Sequence, residues 1–333
     1  MKKWRKLHMK KLYTLLLLIV TLVILFGCAG NAEDQANETP VVEEKKEAVQ
    51  KESVYPITIT DALKNEVVIE KKPERIVSLI PSNTEIAYEL GLGEEVVGVN
   101  DNDNYPEAVF EKEKVGGLEI NIEKIISLEP NLVLAHESTA SSTEAGLQQL
   151  RDSGIPVLIV NDAQNIDEVY ETIVMIGEAT GEKENAETIV ADMKAKIDDI
   201  ATRAKEIKEG EQKTVFVEVS PSPEIYSVGV NTFMNEMLQM INAKNVTTEE
   251  GWVKIDPEAV IERNPDVIIT THGYYTGDPI SEVVNRDGWQ DITAVKNEQI
   301  VDVHSDIVTR TGPRIAQGVE ELAKAVYPDI FDK

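Results

Sequence analysis

Residues 121–135 (NIEKIISLEPNLVLA) and 256–270 (DPEAVIERNPDVIIT) are one motif written twice. Aligned at an offset of 135, they pair Glu123 with Glu258, Ile126 with Ile261 and Pro130 with Pro265. Each copy reads as a capped helix start, a short amphipathic helix, a proline-containing turn and a short apolar strand. A repeated supersecondary unit constrains architecture more tightly than composition does. It predicts two similar lobes, each presenting one carboxylate at an equivalent place.

Around the repeats, strand and helix patterns alternate, which predicts an α/β fold. In the first half, strands are expected at 75–80, 96–99, 132–135 and 156–160. A turn and cap is expected at 81–84, with helices at 85–90 and around 143–152. In the second half, strands are expected at 214–219, 267–271 and 300–303, with helices at 232–241, near 281–286 and from about 313 to 326. Between the halves, Ile189, Met193, Ile197, Ile200, Ala204 and Ile207 are spaced by four, four, three, four and three residues. That is an apolar stripe on one long helix, a connector expected to lie across both lobes. Ligands of such sheets gather beyond the carboxyl ends of the strands. Two lobes on one stiff connector leave a cleft between them, a favoured place for small molecules.

The amino-terminal end serves another purpose. Six cations between Lys2 and Lys11, an apolar run at 12–26 and the small residues around Cys28 describe a secretion signal. The run is shorter than the ~20 residues a membrane span needs. Cys28 is the only cysteine, which excludes an internal disulfide. A lone cysteine directly behind a signal resembles the lipid acceptor of a bacterial lipoprotein. Residues 28–55 hold almost no large apolar side chains and are expected to be a flexible acidic tether. The expected layout is therefore signal 1–27, tether 28–55, first lobe 56–181, connector 182–208 and second lobe 209–333. The formal charge is −27, and six units lower without the signal. Such a chain does not suit nucleic acid or an anionic lipid surface. A partner that docks by charge must offer Arg or Lys.

Several residues are candidates for function. Singly, Glu123 and Glu258 suit a first helical turn, where an acid contributes ~0.3–1 kcal/mol through the helix dipole. Matched across two lobes, they are also candidates for a shared docking role. His136, His272 and His304 each follow a strand. Converging on a cleft they could bind zinc or manganese, and singly each reads as a hydrogen bonder. Trp252, Tyr226, Tyr274, Tyr275 and Tyr105 fall in loops expected to border the cleft, where flat rings suit a large flat ligand. Arg310 and Arg314 stand near the start of the last helix, where the dipole opposes them. They require an anionic ligand group or an acid partner. GxSxG, P-loop and HExxH signatures are absent, so no enzyme is expected.

Taken together, residues 73–99 (PERIVSLIPSNTEIAYELGLGEEVVGV), 121–135, 153–160 (SGIPVLIV), 251–270 and 305–328 resemble a known family. It is the substrate-binding proteins of bacterial ABC importers for vitamin B12, ferric siderophores and haem. The resemblance covers about residues 55–330. It implies two Rossmann-like lobes joined by a single long helix, with the ligand held in the interlobe cleft and delivered unchanged. It also implies a monomer with no cofactor of its own, although the ligand can carry cobalt or iron. Glu123 and Glu258 would sit on exposed lobe tips and pair with arginines of the permease. The PSNTE segment, with Asn83, and the Gly-Trp before the second repeat look most like the B12-binding members. Trp252, Tyr226, Asp306 and Arg310 match positions those members use around the corrin. Asn102, Leu118 and His136 stand where those members place aromatics, and His136 is expected to meet a metal-centred ligand. A corrinoid is the expected ligand, with a ferric siderophore or haem as the alternative in the same role. A zinc or manganese receptor, or a scaffold lipoprotein with an empty cleft, is the alternative of another kind.

Overall fold

Two mainly parallel sheets, one in each half of the chain, organise the fold. The structure is a computed structural model that describes residues 55–332. The signal, Cys28 and all of the tether before Tyr55 lie outside the described residues. Tyr55 itself packs against the core, and its hydroxyl donates to the Ala179 carbonyl at 3.2 Å.

An antiparallel hairpin of β1 (Ile57–Thr60) and β2 (Glu66–Ile69) precedes the first sheet. That sheet contains β3 (Ile76–Ser78), β4 (Val96–Val99), β5 (Glu113–Lys114), β6 (Leu132–His136) and β7 (Val157–Val160). Its order is β5-β4-β3-β6-β7, parallel throughout. Every residue of β6 and β7 is buried, as expected of apolar runs covered on both faces. The covering helices are α1 (Pro81–Glu89), α2 (Ile122–Ser127), α3 (Glu137–Asp152) and α4 (Ile166–Thr180).

Three local expectations change here. The PSNT segment opens α1 instead of forming a turn ahead of it, because Pro81 fits the first helical position after the extended Ile80. Helix α3 begins at Glu137, six residues earlier than expected, because the His136 side chain caps it. Residues 161–181, which the alternation of patterns leaves unassigned, contain α4.

The connector is α5 (Lys183–Ala204). It buries Ala186, Val190, Met193, Ile197, Ile200 and Ala204 along one face. Ile189 is only partly buried, so the stripe begins at Ala186 and Val190 instead. Near its start, α5 lies against α4 so closely that a Cβ on Gly177 would fall 2.5 Å from that of Ala186.

The second sheet contains β8 (Thr214–Ser220), β9 (Tyr226–Val228), β10 (Lys244–Asn245), β11 (Trp252–Lys254), β12 (Val267–Thr270) and β13 (Ile300–Asp302). The order is β11-β9-β8-β12-β13, with β10 also paired to β8. The helices here are α6 (Phe233–Met240), α7 (Pro257–Arg263), α8 (Gly273–Thr276), α9 (Pro279–Val284), α10 (Thr293–Lys296), α11 (Ser305–Thr309) and α12 (Ile315–Val326). The connector reaches this lobe too, since Lys196 pairs with Glu320 on α12 at 2.6 Å.

One apolar cluster runs from Ile76 and Ile173 through Met193 and Ile197 to Met237 and Val319. It joins both lobes through the connector. The opposite face of each sheet has its own cluster, centred on Ile125 and Leu147 in the first lobe and on Phe216 and Trp289 in the second. Each sheet is thus covered on both faces. The two repeats occupy equivalent places: α2 leads into β6 and α7 into β12, and both strands lie one in from an edge of their sheets.

Candidate functional site

The segments that follow β3 and β4 in the first lobe meet those that follow β13 in the second, so the carboxyl ends of the two sheets face each other. Helix α1 starts directly after β3 and carries Glu85 one turn in, where it is 3 % exposed. A buried carboxylate is tolerated only when paired and hydrogen-bonded. Glu85 is both. Arg310, just after α11, donates through Nη1 to Glu85 Oε1 at 2.9 Å and to Asn104 Oδ1 at 2.7 Å. Its Nη2 pairs with Asp306 Oδ1 at 2.9 Å. Arg314, just before α12, donates through Nε and Nη2 to Glu85 at 2.8 and 2.7 Å. Asn104 Nδ2 donates to Asp306 Oδ2 at 2.8 Å, and the Arg314 guanidinium lies 4.0 Å from the Tyr105 ring centre. The bidentate contact from Arg314 is the strong form of this interaction. The two arginines therefore have an acid partner, Glu85.

Asp103 lies beside this cluster and is 2 % exposed. Burial pushes its carboxyl up to about 6, although the Thr84 hydroxyl, a backbone hydrogen bond with Asn100 and the charges of Lys114 and Arg310 all pull the other way. Its Oδ2 accepts from Thr84 at 3.1 Å, while Oδ1 has no partner among the described residues.

The second lobe brings exposed rings to its edge. Trp252 and Tyr226 lie on the antiparallel pair β11–β9. Trp252 is 42 % exposed and rests against Phe233 with ring centres 5.7 Å apart. Just after β9, Gly229 approaches the backbone ahead of β11 so closely that a Cβ there would sit 1.8 Å from the Glu249 carbonyl oxygen. Tyr274 stacks on His304 at 6.2 Å and meets the edge of Tyr275 at 4.8 Å. In the first lobe, Leu118 is 85 % exposed and Asn102 is also exposed.

Other expected site residues have different occupations. Asn83 is fully buried and donates to the Ala135 carbonyl at 2.9 Å, tying α1 to β6. His136 is buried, and its Nδ1 accepts from the Ser138 amide. Burial pushes its imidazole below the ordinary histidine range, despite Asp162 and Glu137 nearby. It caps α3 through Nδ1. His272 is fully buried between Thr276, at 3.1 Å from Nδ1, and Glu218, at 3.1 Å from Nε2. Glu218 also takes two hydrogen bonds from Arg286, at 2.6 and 2.8 Å. Burial raises its pKa, but the hydrogen bonds from Arg286 and His272 prevail and hold the carboxyl below the usual range. His304 is exposed. The three histidines are not brought together, and no group of three His, Cys, Asp or Glu among the described residues is placed to hold a metal ion.

Glu123 and Glu258 are exposed in the first turns of α2 and α7. Asn121 caps the first through the Lys124 amide at 3.0 Å, and Asp256 caps the second through the Glu258 amide at 2.9 Å. The caps therefore hold the helix starts, and neither glutamate is ion-paired among the described residues. A hollow of about 670 Å³ between β1, α4 and α5, lined in part by Tyr170, Glu171 and Lys194, lies away from these residues.

The two-lobe architecture agrees with the relatives of the chain. Residues 76–307 match the family described as periplasmic binding protein. An uncharacterized ABC transporter substrate-binding lipoprotein of Bacillus subtilis, YvrC, is 50% identical over 315 residues, which is 94% of this chain and 96% of the relative. Among solved structures, a possible iron-binding (periplasmic solute-binding) protein of Staphylococcus epidermidis is 41% identical, with a TM-score of 0.69 over 77% of this chain and 100% of the other. The periplasmic vitamin B12 binding protein BtuF of Vibrio cholerae is 27% identical, with a TM-score of 0.64 over 78% of this chain and 98% of the other. The chain belongs to the periplasmic binding protein family, as a substrate-binding protein that serves an ABC transporter.

Proposed function

We propose that this protein captures a corrinoid in the cleft between its lobes and hands it, unchanged, to the membrane permease of its importer. The observation that carries this reading is the pair of exposed rings, Trp252 and Tyr226, on the neighbouring strands β11 and β9 of the second lobe. An exposed tryptophan held in place by Phe233 is a platform for a flat ligand, since stacking there removes apolar surface from water. Likeness to the B12 binding protein of Vibrio cholerae supports it further. Asp306 and Arg310 would meet the polar rim of the ligand. Glu123 and Glu258 would dock to permease arginines, one from each lobe. The protein would act as a monomer outside the cytoplasm, held by lipid on Cys28 through the tether 28–55. The more similar protein of Staphylococcus epidermidis, described as a possible iron-binding protein, favours a second reading, a ferric siderophore or haem in the same cleft.

The test is calorimetric titration of the purified protein with cyanocobalamin. Saturable one-to-one binding tighter than about micromolar, ~8 kcal/mol, supports the corrinoid. No heat, with saturable binding of hemin or a ferric siderophore, replaces it with the second reading.

A further inference from the structure

We propose that Glu85 is a specificity-determining residue: by holding Arg310 and Arg314 it leaves no uncommitted cation on the interlobe face, so the cleft favours a neutral, amide-bearing macrocycle over one that carries carboxylates. The inference rests on the reading of the cleft given above.

Glu85, Asp103 and Asp306 stand with Lys114, Arg310 and Arg314, and each cation already has its acceptors. Arg310 serves Glu85, Asn104 and Asp306. Arg314 serves both oxygens of Glu85. The Lys114 ammonium donates to the carbonyls of Asn100 and Asp103, at 3.2 and 2.9 Å. Deeper in the second lobe, Arg286 is bound to Glu218. A ligand carboxylate that sought Arg310 or Arg314 would have to displace Glu85. That would strand a buried carboxylate, which is the costly way to break such a pair. An amide makes no such demand. It can hydrogen-bond at the exposed Asn104 while the bridge stays closed.

Glu85→Gln keeps the shape and removes the charge, which releases one guanidinium equivalent to the cleft. The test is titration of wild type and Glu85→Gln with two macrocycles, neutral cyanocobalamin and hemin with its two propionates. Glu85→Gln is expected to bind hemin about tenfold tighter than wild type, with cyanocobalamin affinity gaining less than about threefold. The gain should shrink at about 0.5 M salt, where the Debye length is only a few ångströms. Hemin affinity within about twofold of wild type, or an equal gain for both ligands from a looser cleft, overturns the proposal. So does the absence of hemin binding in both proteins. If Glu85→Gln does not fold, Asp306→Asn, which removes the other acid on Arg310, carries the hemin arm of the test alone, with the same expected sign. Failure of wild type to bind cyanocobalamin defeats the corrinoid reading alone, because the hemin ratio between variant and wild type still decides the role of Glu85.

Discussion

Asp103 should make this protein less stable as the pH rises from about 4 to about 7. In the folded chain its carboxyl is pushed from the ordinary 3.8 up to about 6, first by burial and against the help of Thr84, Asn100, Lys114 and Arg310. Between those two values the unfolded chain gives up the proton while the folded chain keeps it. The unfolded state then binds fewer protons, so unfolding becomes easier as pH rises, and the loss is complete above the folded value. A shift of about two units at 1.36 kcal/mol each gives roughly 2–3 kcal/mol. Asp103→Asn removes this titration. Other carboxylates, including Glu218, change stability over the same range, but they act in both proteins and cancel in the difference. The assay is urea unfolding of wild type and variant at intervals from about pH 4 to pH 8. The stability of the variant relative to wild type should rise by about 2–3 kcal/mol across that span and level off near the top. A difference that stays constant within about 0.5 kcal/mol would refute the reasoning, because it would mean that Lys114 and Arg310 fully offset the burial of this carboxyl.

Three further outcomes are expected. Reversing both tip charges, Glu123→Arg with Glu258→Arg, should leave ligand affinity unchanged and abolish uptake in cells, and full uptake by that double variant would exclude the docking role. Trp252→Ala should weaken ligand binding by about 1–3 kcal/mol in a titration, whereas an unchanged dissociation constant would make the ring a packing partner of Phe233 only. Gly177→Ala should lower the melting temperature, since the new Cβ meets Ala186 at 2.5 Å and overpacking costs about 1–3 kcal/mol, more than the ~0.5–1 kcal/mol that alanine gains in a helix interior; a higher melting temperature would show that α4 and α5 can part freely.

What could be read from the sequence was whatever repeats or keeps a clean period. The doubled motif gave two lobes with matched helix starts, and the stripe through Met193, Ile197, Ile200 and Ala204 gave the connector. Helix α4 escaped because it is enclosed on several sides. It buries Ile166, Val169, Tyr170, Thr172, Ile173, Ile176 and Gly177, so apolar residues fall on too many faces for one period to stand out. The start of α3 escaped for the opposite reason, since ESTASST carries no apolar stripe and is fixed by a histidine cap. The same division holds at the site. Exposed residues such as Trp252, Glu123 and Glu258 were legible as candidates, because exposure of a ring or an unpaired acid is a property of the residue and its local context. Glu85 was not legible, because its partners lie 225 and 229 residues away and only the folded chain brings them together. Its trace in the sequence was indirect: two arginines where the helix dipole opposes them imply a missing acid. The acid proves to come from the other lobe, so one buried side chain both joins the lobes and sets the charge of the face between them.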